Sequence, residues 1–214
     1  MPHSQTDTEV RSSAPSDRRG AGSPTPVGRS CDRYNGPMDD DIERILITRE
    51  QIQARVRELA GEIVGIYGHT GLTIVAILHG ALIFLSDLMR EIPFKMQIAL
   101  MTVSSYRGAT TQSGEPVLTG ELSRGIEGQH VLLVDDILDT GNTLRFVQQE
   151  IEGCNPASMR TCVLLRKTGK APPEVKVDLV GFDIEDRFVV GYGLDYNNLY
   201  RNYPHIGVLR AELY

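Results

Sequence analysis

The segment "VLLVDDILDTGNTL", residues 131–144, sets four apolar residues directly against three aspartates, a Thr-Gly pair and a second apolar start. A short uninterrupted apolar run fits a strand covered on both faces, as in the interior of a parallel sheet. "TLRFVQQEIEG", which follows and closes on Gly153, has the spacing of a helix. In an open α/β sheet ligands bind beyond the carboxyl ends of the strands, so Asp135 and Asp136 fall where a site belongs.

The flanking chain repeats this alternation. Thr48 with Gln51 is a capping-box pattern, and Ile52, Val56, Leu59, Ile63 and Tyr67 recur at helical spacing, predicting a helix of about five turns. "TIVAIL" (73–78) reads as a strand running into "HGA", and "ALIFLSDLMREI" as a helix packed on it. "QIALMTVSSY" (97–106) and "SMRTCVLLRK" (158–167) are further strands, so an α/β fold with a mostly parallel sheet flanked by helices is expected. "SSYRGATTQSGEP", from Ser104, is long for a connection inside a compact domain, and such loops are functional or disordered.

At 214 residues and 41% hydrophobic, the chain is long enough for one compact domain. Residues 1–40 hold five of the eleven prolines and no Leu, Ile or Phe, which leaves nothing to offset ordering entropy. They are expected to form a disordered tail, with residues 41–214 as the folded domain and Met38 as an alternative start. A net charge of −6 excludes general attraction to nucleic acid or to an anionic membrane, so a phosphate-bearing partner has to be held locally or through a cation. No stretch approaches the roughly 18 unbroken apolar residues of a membrane span. The N-terminus also lacks the apolar core of a secretory signal, and a soluble cytoplasmic protein is expected. Cys31, Cys154 and Cys162 form no C-x-x-C pair and suggest neither a disulfide framework nor a zinc site.

Two carboxylates about 4 Å apart repel by about 4 kcal/mol at an effective dielectric of about 20. A cluster of Asp135, Asp136 and Asp139 therefore wants a cation or hydroxyl donors, and Mg²⁺ or a sugar diol would serve. The plainer reading, Asp139 or Thr140 as an N-cap, accounts for one acid but hardly three. The "DTGNT" turn offers a phosphate its backbone N–H groups and the positive end of a helix dipole, with Thr140 and Thr143 hydroxyls as extra donors. Other phosphate loops do not fit: the Walker pattern is absent, and Gly191-Tyr192-Gly193 lacks the third glycine of a dinucleotide loop. H-E-x-x-H and G-x-S-x-G are absent too.

"VLLVDDILDTGNTL" resembles the phosphoribosyl-pyrophosphate motif of the type I phosphoribosyltransferases. "LHGA", "SSYRG", "LLRK" and "DRFVVGYGLDYNNLYRNYPHIG" together resemble the hypoxanthine-guanine branch of that family, and the match covers essentially the whole predicted domain. The resemblance implies the type I phosphoribosyltransferase fold with a small hood built from the terminal segments. It also implies transfer of ribose 5-phosphate from phosphoribosyl pyrophosphate to hypoxanthine or guanine, with Mg²⁺ bound and pyrophosphate leaving. A homodimer or homotetramer is usual for such proteins.

The same resemblance assigns roles to residues. Asp135 and Asp136 would hold the ribose hydroxyls and Mg²⁺, with Ile137 and Leu138 continuing the substrate-binding run. Asp139, Thr140, Gly141, Asn142 and Thr143 would wrap the 5-phosphate. Asp139 would be the catalytic base at purine N7, with its carboxyl raised by partial burial near other acids. Lys167 would donate to the 6-oxo group, which an amino group cannot replace as acceptor, though a solvated surface lysine is the plainer reading. Phe188, otherwise a core residue, would stack on the base, and the backbone at Val189 would meet its edge. Asp195 would bind a second Mg²⁺ and Arg201 would hold pyrophosphate. Leu78, His79 and Gly80 would form a turn with a cis peptide whose amide faces pyrophosphate, and Ser105 and Tyr106 would lead a closing lid.

Three positions depart from the family. His79 stands where relatives often carry Lys or Arg, Asn142 where some carry Lys or Arg, and Asp135 where many carry Glu. The rival readings are a phosphoribosyltransferase for xanthine, adenine or a pyrimidine, and a non-catalytic RNA-binding regulator on the same fold. Lys167 and "FVVGYGLDY" disfavour an adenine or pyrimidine acceptor, and the acidic balance and the set from Asp135 to Arg201 disfavour the regulator.

Overall fold

The Thr48 amide donates to Gln51 Oε1 at 2.8 Å and the Gln51 amide to Thr48 Oγ1 at 3.3 Å, closing the capping box that the sequence predicts. The structure, a computed structural model, describes residues 36–68, 70–105, 116–119 and 125–214. In these, strand β1 (Ile42–Ile47) leads into helix α1 (Arg49–Tyr67), β2 (Leu72–Leu78), α2 (Leu82–Glu91), β3 (Met96–Ser105) and β4 (Pro116–Thr119). There follow β5 (His130–Leu138), α3 (Asn142–Gly153), β6 (Ser158–Lys167), β7 (Leu179–Ile184), β8 (Val189–Val190) and β9 (Ile206–Leu209).

The main sheet has the order β4-β3-β2-β5-β6-β7. All its pairings are parallel except β3 with β4, where Thr102 faces Thr119 and Ser105 faces Pro116. Part of the expected polar loop is therefore an edge hairpin, while Tyr106 and the expected lid lie outside the described residues. The apolar run of β5 is buried on both faces. Leu132 and Val134 pack with Ile52, Leu59 and Ile63 of α1 and Phe84 and Leu88 of α2. Val131 and Leu133 turn to the other face and pack with Leu144, Val147 and Ile151 of α3. Period-two alternation thus feeds two cores from one continuous apolar segment.

The chain moves from β2 outward to β3 on one side, and from β5 outward to β6 and β7 on the other. The order reverses between β2 and β5, and a crevice opens at that switch point beyond the strands' carboxyl ends. There the turn after β2 meets the turn after β5.

A second, antiparallel sheet of order β1-β9-β8 forms the hood expected from the terminal segments. Its small core joins Ile42, Val190, Tyr203 and Leu209, with Met38 and Phe188 packed against it. Residues 38–40, assigned from sequence to the tail, take part in this unit, since Met38–Asp41 is a 3-10 turn. Tyr203 Oη donates to Asp39 at 2.8 Å, Tyr200 Oη to Asp41 at 2.7 Å, and Arg210 Nε to the Asp40 carbonyl at 2.7 Å. Among the described residues no helix is long and apolar enough to cross a membrane.

Candidate active site

A cleft of 280 Å³ lies at the switch point, lined by Leu78, Gly80, Val103 and every residue from Asp135 through Leu144. The polar part of the sequence motif is therefore gathered into one wall. β5 carries Asp135 and Asp136 to the rim, where the Asp136 amide donates to Asp135 Oδ1 at 3.0 Å and the Ile137 amide to Asp136 Oδ1 at 2.9 Å. Asp135 is only 6% exposed. Burial pushes its carboxyl well above the usual carboxylate range, and the neighbouring Asp136 charge adds to the shift. Burial raises Asp136 as well, with backbone donors and the Arg201 charge pulling the other way. Asp135 and Asp136 thus form a pair of carboxylates that one more positive charge would stabilise.

The turn after β2 faces this pair. Its Leu78–His79 peptide is cis, and His79 is exposed. A Cβ at Gly80 would overlap Asp136 Oδ2, and a Cβ at Gly193 would overlap the Gly80 carbonyl, so two glycines allow hood, turn and carboxylate to stack. Arg201 braces that stack by donating to the Gly193 carbonyl at 2.7 Å and pairing with Asp195 at 2.8 Å. Asp195 also accepts the Asn198 amide at 2.8 Å. Among the described residues no group of three or more His, Cys, Asp or Glu side chains is arranged to hold a metal, so Asp195 does not complete a cage with Asp135 and Asp136.

Gly141, left-handed at φ 80°, is the N-cap residue of helix α3, and no side chain caps the helix. The N-cap reading of Asp139 or Thr140 therefore fails, and the first-turn amides of α3 stay open toward the cleft wall. Thr140, Asn142 and Thr143 are exposed there. Asp139 is instead drawn into ion pairs. Lys167 Nζ lies 2.9 Å from its Oδ2, and Lys170 Nζ 2.9 Å from its Oδ1. The expected rise of its carboxyl is corrected: burial does push it up, but Lys167 and Lys170 outweigh burial and hold it below the usual range. Lys167, at the end of β6, is 7% exposed, so the solvated-lysine reading fails too.

The two lysines also meet Asp186, at 3.2 Å from Lys167 and 2.8 Å from Lys170. Sequence reasoning missed both Asp186 and Lys170 as partners. Asp186 begins the quoted "DRFVVGYG", but the pairing joins residues that share no element, and no periodicity announces such a contact. Two residues on, Phe188 stacks on Tyr214 at 4.8 Å between ring centroids and meets Tyr196 edge-on at 5.6 Å. Val189 opens β8 and is buried. Phe188, Val189, Asp195 and Arg201 do not line the 280 Å³ cleft itself. They approach it through Asp186 and through the Gly193–Gly80 contact. The backbone of Ser105 ends β3, and its side chain and Tyr106 lie outside the described residues.

An acidic rim, open helix amides and a cationic cluster thus stand on adjoining strand ends. Residues 46–197 match the phosphoribosyl transferase domain family. A hypoxanthine-guanine phosphoribosyltransferase of Mycobacterium tuberculosis is 40% identical over 193 residues, covering 87% of this chain and 94% of the relative. A hypoxanthine-guanine-xanthine phosphoribosyltransferase of Tritrichomonas foetus is 39% identical over 179 residues, 83% of this chain and 97% of the relative. The crystal structure of a Staphylococcus aureus hypoxanthine phosphoribosyltransferase superposes with TM-score 0.78 at 39% identity, covering 84% of this chain and 98% of that one. The chain belongs to the phosphoribosyl transferase domain family, and within it to the hypoxanthine-guanine phosphoribosyltransferases.

Proposed function

We propose that the protein is a 6-oxopurine phosphoribosyltransferase of purine salvage, joining hypoxanthine or guanine to the ribose 5-phosphate of phosphoribosyl pyrophosphate. The observation that carries this reading is the juxtaposition of the acidic β5 rim and open α3 amides with the buried Lys167 at Asp139. Purine N9 attacks the ribose C1′, the bond from C1′ to pyrophosphate breaks, and the N7 proton passes to Asp139. Asp139 suits the role of base because Lys167 and Lys170 keep it ionised and ready to accept. Asp139, Thr140, Gly141, Asn142 and Thr143 take the 5-phosphate, chiefly through backbone amides, since Asn142 brings no charge. Lys167 donates to the 6-oxo group, Phe188 covers the base, and the Val189 backbone meets its edge. Arg201 and the Leu78, His79 and Gly80 turn receive pyrophosphate.

Asp135 and Asp136 hold the ribose hydroxyls, and their buried oxygens suit a hard cation, which bonds carboxylates together with substrate oxygens. When bound, Mg²⁺ supplies neutralisation of the charge on pyrophosphate. Asp195 would hold a second ion, directly or through water. The protein acts in the cytoplasm. The exposed Leu82, Ile98 and Leu100 favour a homodimer or homotetramer.

Pyrophosphate release from the donor with each purine in turn, with and without Mg²⁺, tests the proposal. Release with hypoxanthine and guanine that stops on chelation is expected. Release with adenine alone, or with no purine, would refute it.

A further inference from the structure

Lys167, Asp139, Lys170 and Asp186 close a ring in which two cations alternate with two anions, at 2.9, 2.9, 2.8 and 3.2 Å. The members are not equivalent. The Lys167 side chain is 8% exposed, whereas that of Asp186 is 51% exposed. Resting on the proposed reaction, the ring has a problem to solve at the moment of chemistry. Asp139 turns from Lys167 to the purine and becomes neutral as it takes the N7 proton. A buried ammonium that loses its only carboxylate is strongly destabilised. Asp186 reaches Lys167 from the segment before β8, a different part of the chain from the β5–α3 turn that carries Asp139, and does not line the 280 Å³ cleft. Its backbone lies two residues before Phe188, and its neighbours Glu185 and Arg187 are tied to β1 through Arg44 and Glu43. The carboxylate is therefore held by the hood while it faces the end of β6.

We infer that Asp186 is a positioning residue for the 6-oxopurine: the counterion that stays paired with Lys167 and keeps it aimed at the acceptor when Asp139 engages the base. It also couples the segment carrying Phe188 to the lysine, so the two sides of the base site are set by one contact. Because Asp186 does not line the cleft walled by Asp135 to Thr143, the proposed place of sugar and phosphate, its loss acts on the acceptor alone.

The test compares the wild-type protein with Asp186→Asn and Asp186→Glu. Asp186→Asn is expected to raise KM for hypoxanthine about five- to tenfold, the size of losing one partly exposed ion pair. KM for phosphoribosyl pyrophosphate and Tm should stay at wild-type values, and Asp186→Glu should restore most of the loss. Acetylation of Lys167 by acetic anhydride, read by mass spectrometry, should run several-fold faster in Asp186→Asn. An unchanged hypoxanthine KM, or equal changes in both KM values, would overturn the inference. If the wild-type protein turns over no purine, the proposed function falls by itself, and the labelling rate still decides whether Asp186 holds Lys167.

Discussion

Asp139 and Asp135 sit four residues apart and titrate in opposite directions, and each direction has a visible cause. Lysines surround Asp139, so its folded carboxyl stays ionised to lower pH than in the unfolded chain. Its contribution to stability is present above the unfolded carboxylate pKa and is lost as pH falls through the folded value. Removing Lys170 by Lys170→Gln withdraws one of the two cations, so the acid limb of the kcat/KM profile should move to higher pH. A limb that stays in place would remove Asp139 from the role of base. Asp135 behaves in reverse: burial raises its carboxyl, so the charge opposes folding as pH rises through the folded value. Asp135→Asn keeps an oxygen for the Asp136 amide and drops the buried charge. The unliganded variant should be more stable at neutral pH by about 1–2 kcal/mol, or about 2–8 °C in Tm, while activity collapses. Thermal melting alongside the assay reads both. At this scale the motif acids were legible because three carboxylates at a strand end ask for an explanation. Asp186 and Lys170 were not, because the pairs they make are set by the tertiary fold.

Among elements, those with a strong local pattern stand where the sequence puts them. The capping box fixes the start of α1, and the strand expected at 158–167 is β6 to the residue. β1, β7 and the two-residue β8 were not legible, since short strands with mixed burial carry little periodicity. The plainer N-cap reading of Asp139 or Thr140, disfavoured from sequence, fails because a left-handed Gly141 precedes α3 without a side-chain cap, leaving Asp139 to Lys167. The turn after β2 yields a test of how elements meet. Gly80 has no room for a methyl group between Asp136 and the Gly193 loop, and Gly80→Ala should cost about 1–3 kcal/mol of stability. It should also raise the donor KM, because the turn faces the acidic rim. A melting curve and a donor titration that both match wild type would show that the contact is not held in solution.

The molecule as a whole joins an α/β sheet that makes the crevice to an antiparallel hood beside it, which carries Phe188 and Val189, the proposed base-site residues. The sheet was legible from alternating strands and helices. The hood was legible only through resemblance, because β1 and β9 lie at opposite ends of the chain and their pairing has no local signal. With a net charge of −6, binding of polyanionic substrate rests on local cations and amides rather than on the overall field. In the proposed reaction specificity for the acceptor rests on Lys167 in the same way, since a site built to donate to an oxo group leaves its donor unpaired against an amino group. The direct measurement is nucleotide formation from phosphoribosyl pyrophosphate with hypoxanthine against adenine. A kcat/KM ratio on the order of 10⁴ in favour of hypoxanthine is predicted, falling steeply in Lys167→Gln. Comparable rates with the two purines, or a ratio that survives loss of Lys167, would contradict the account.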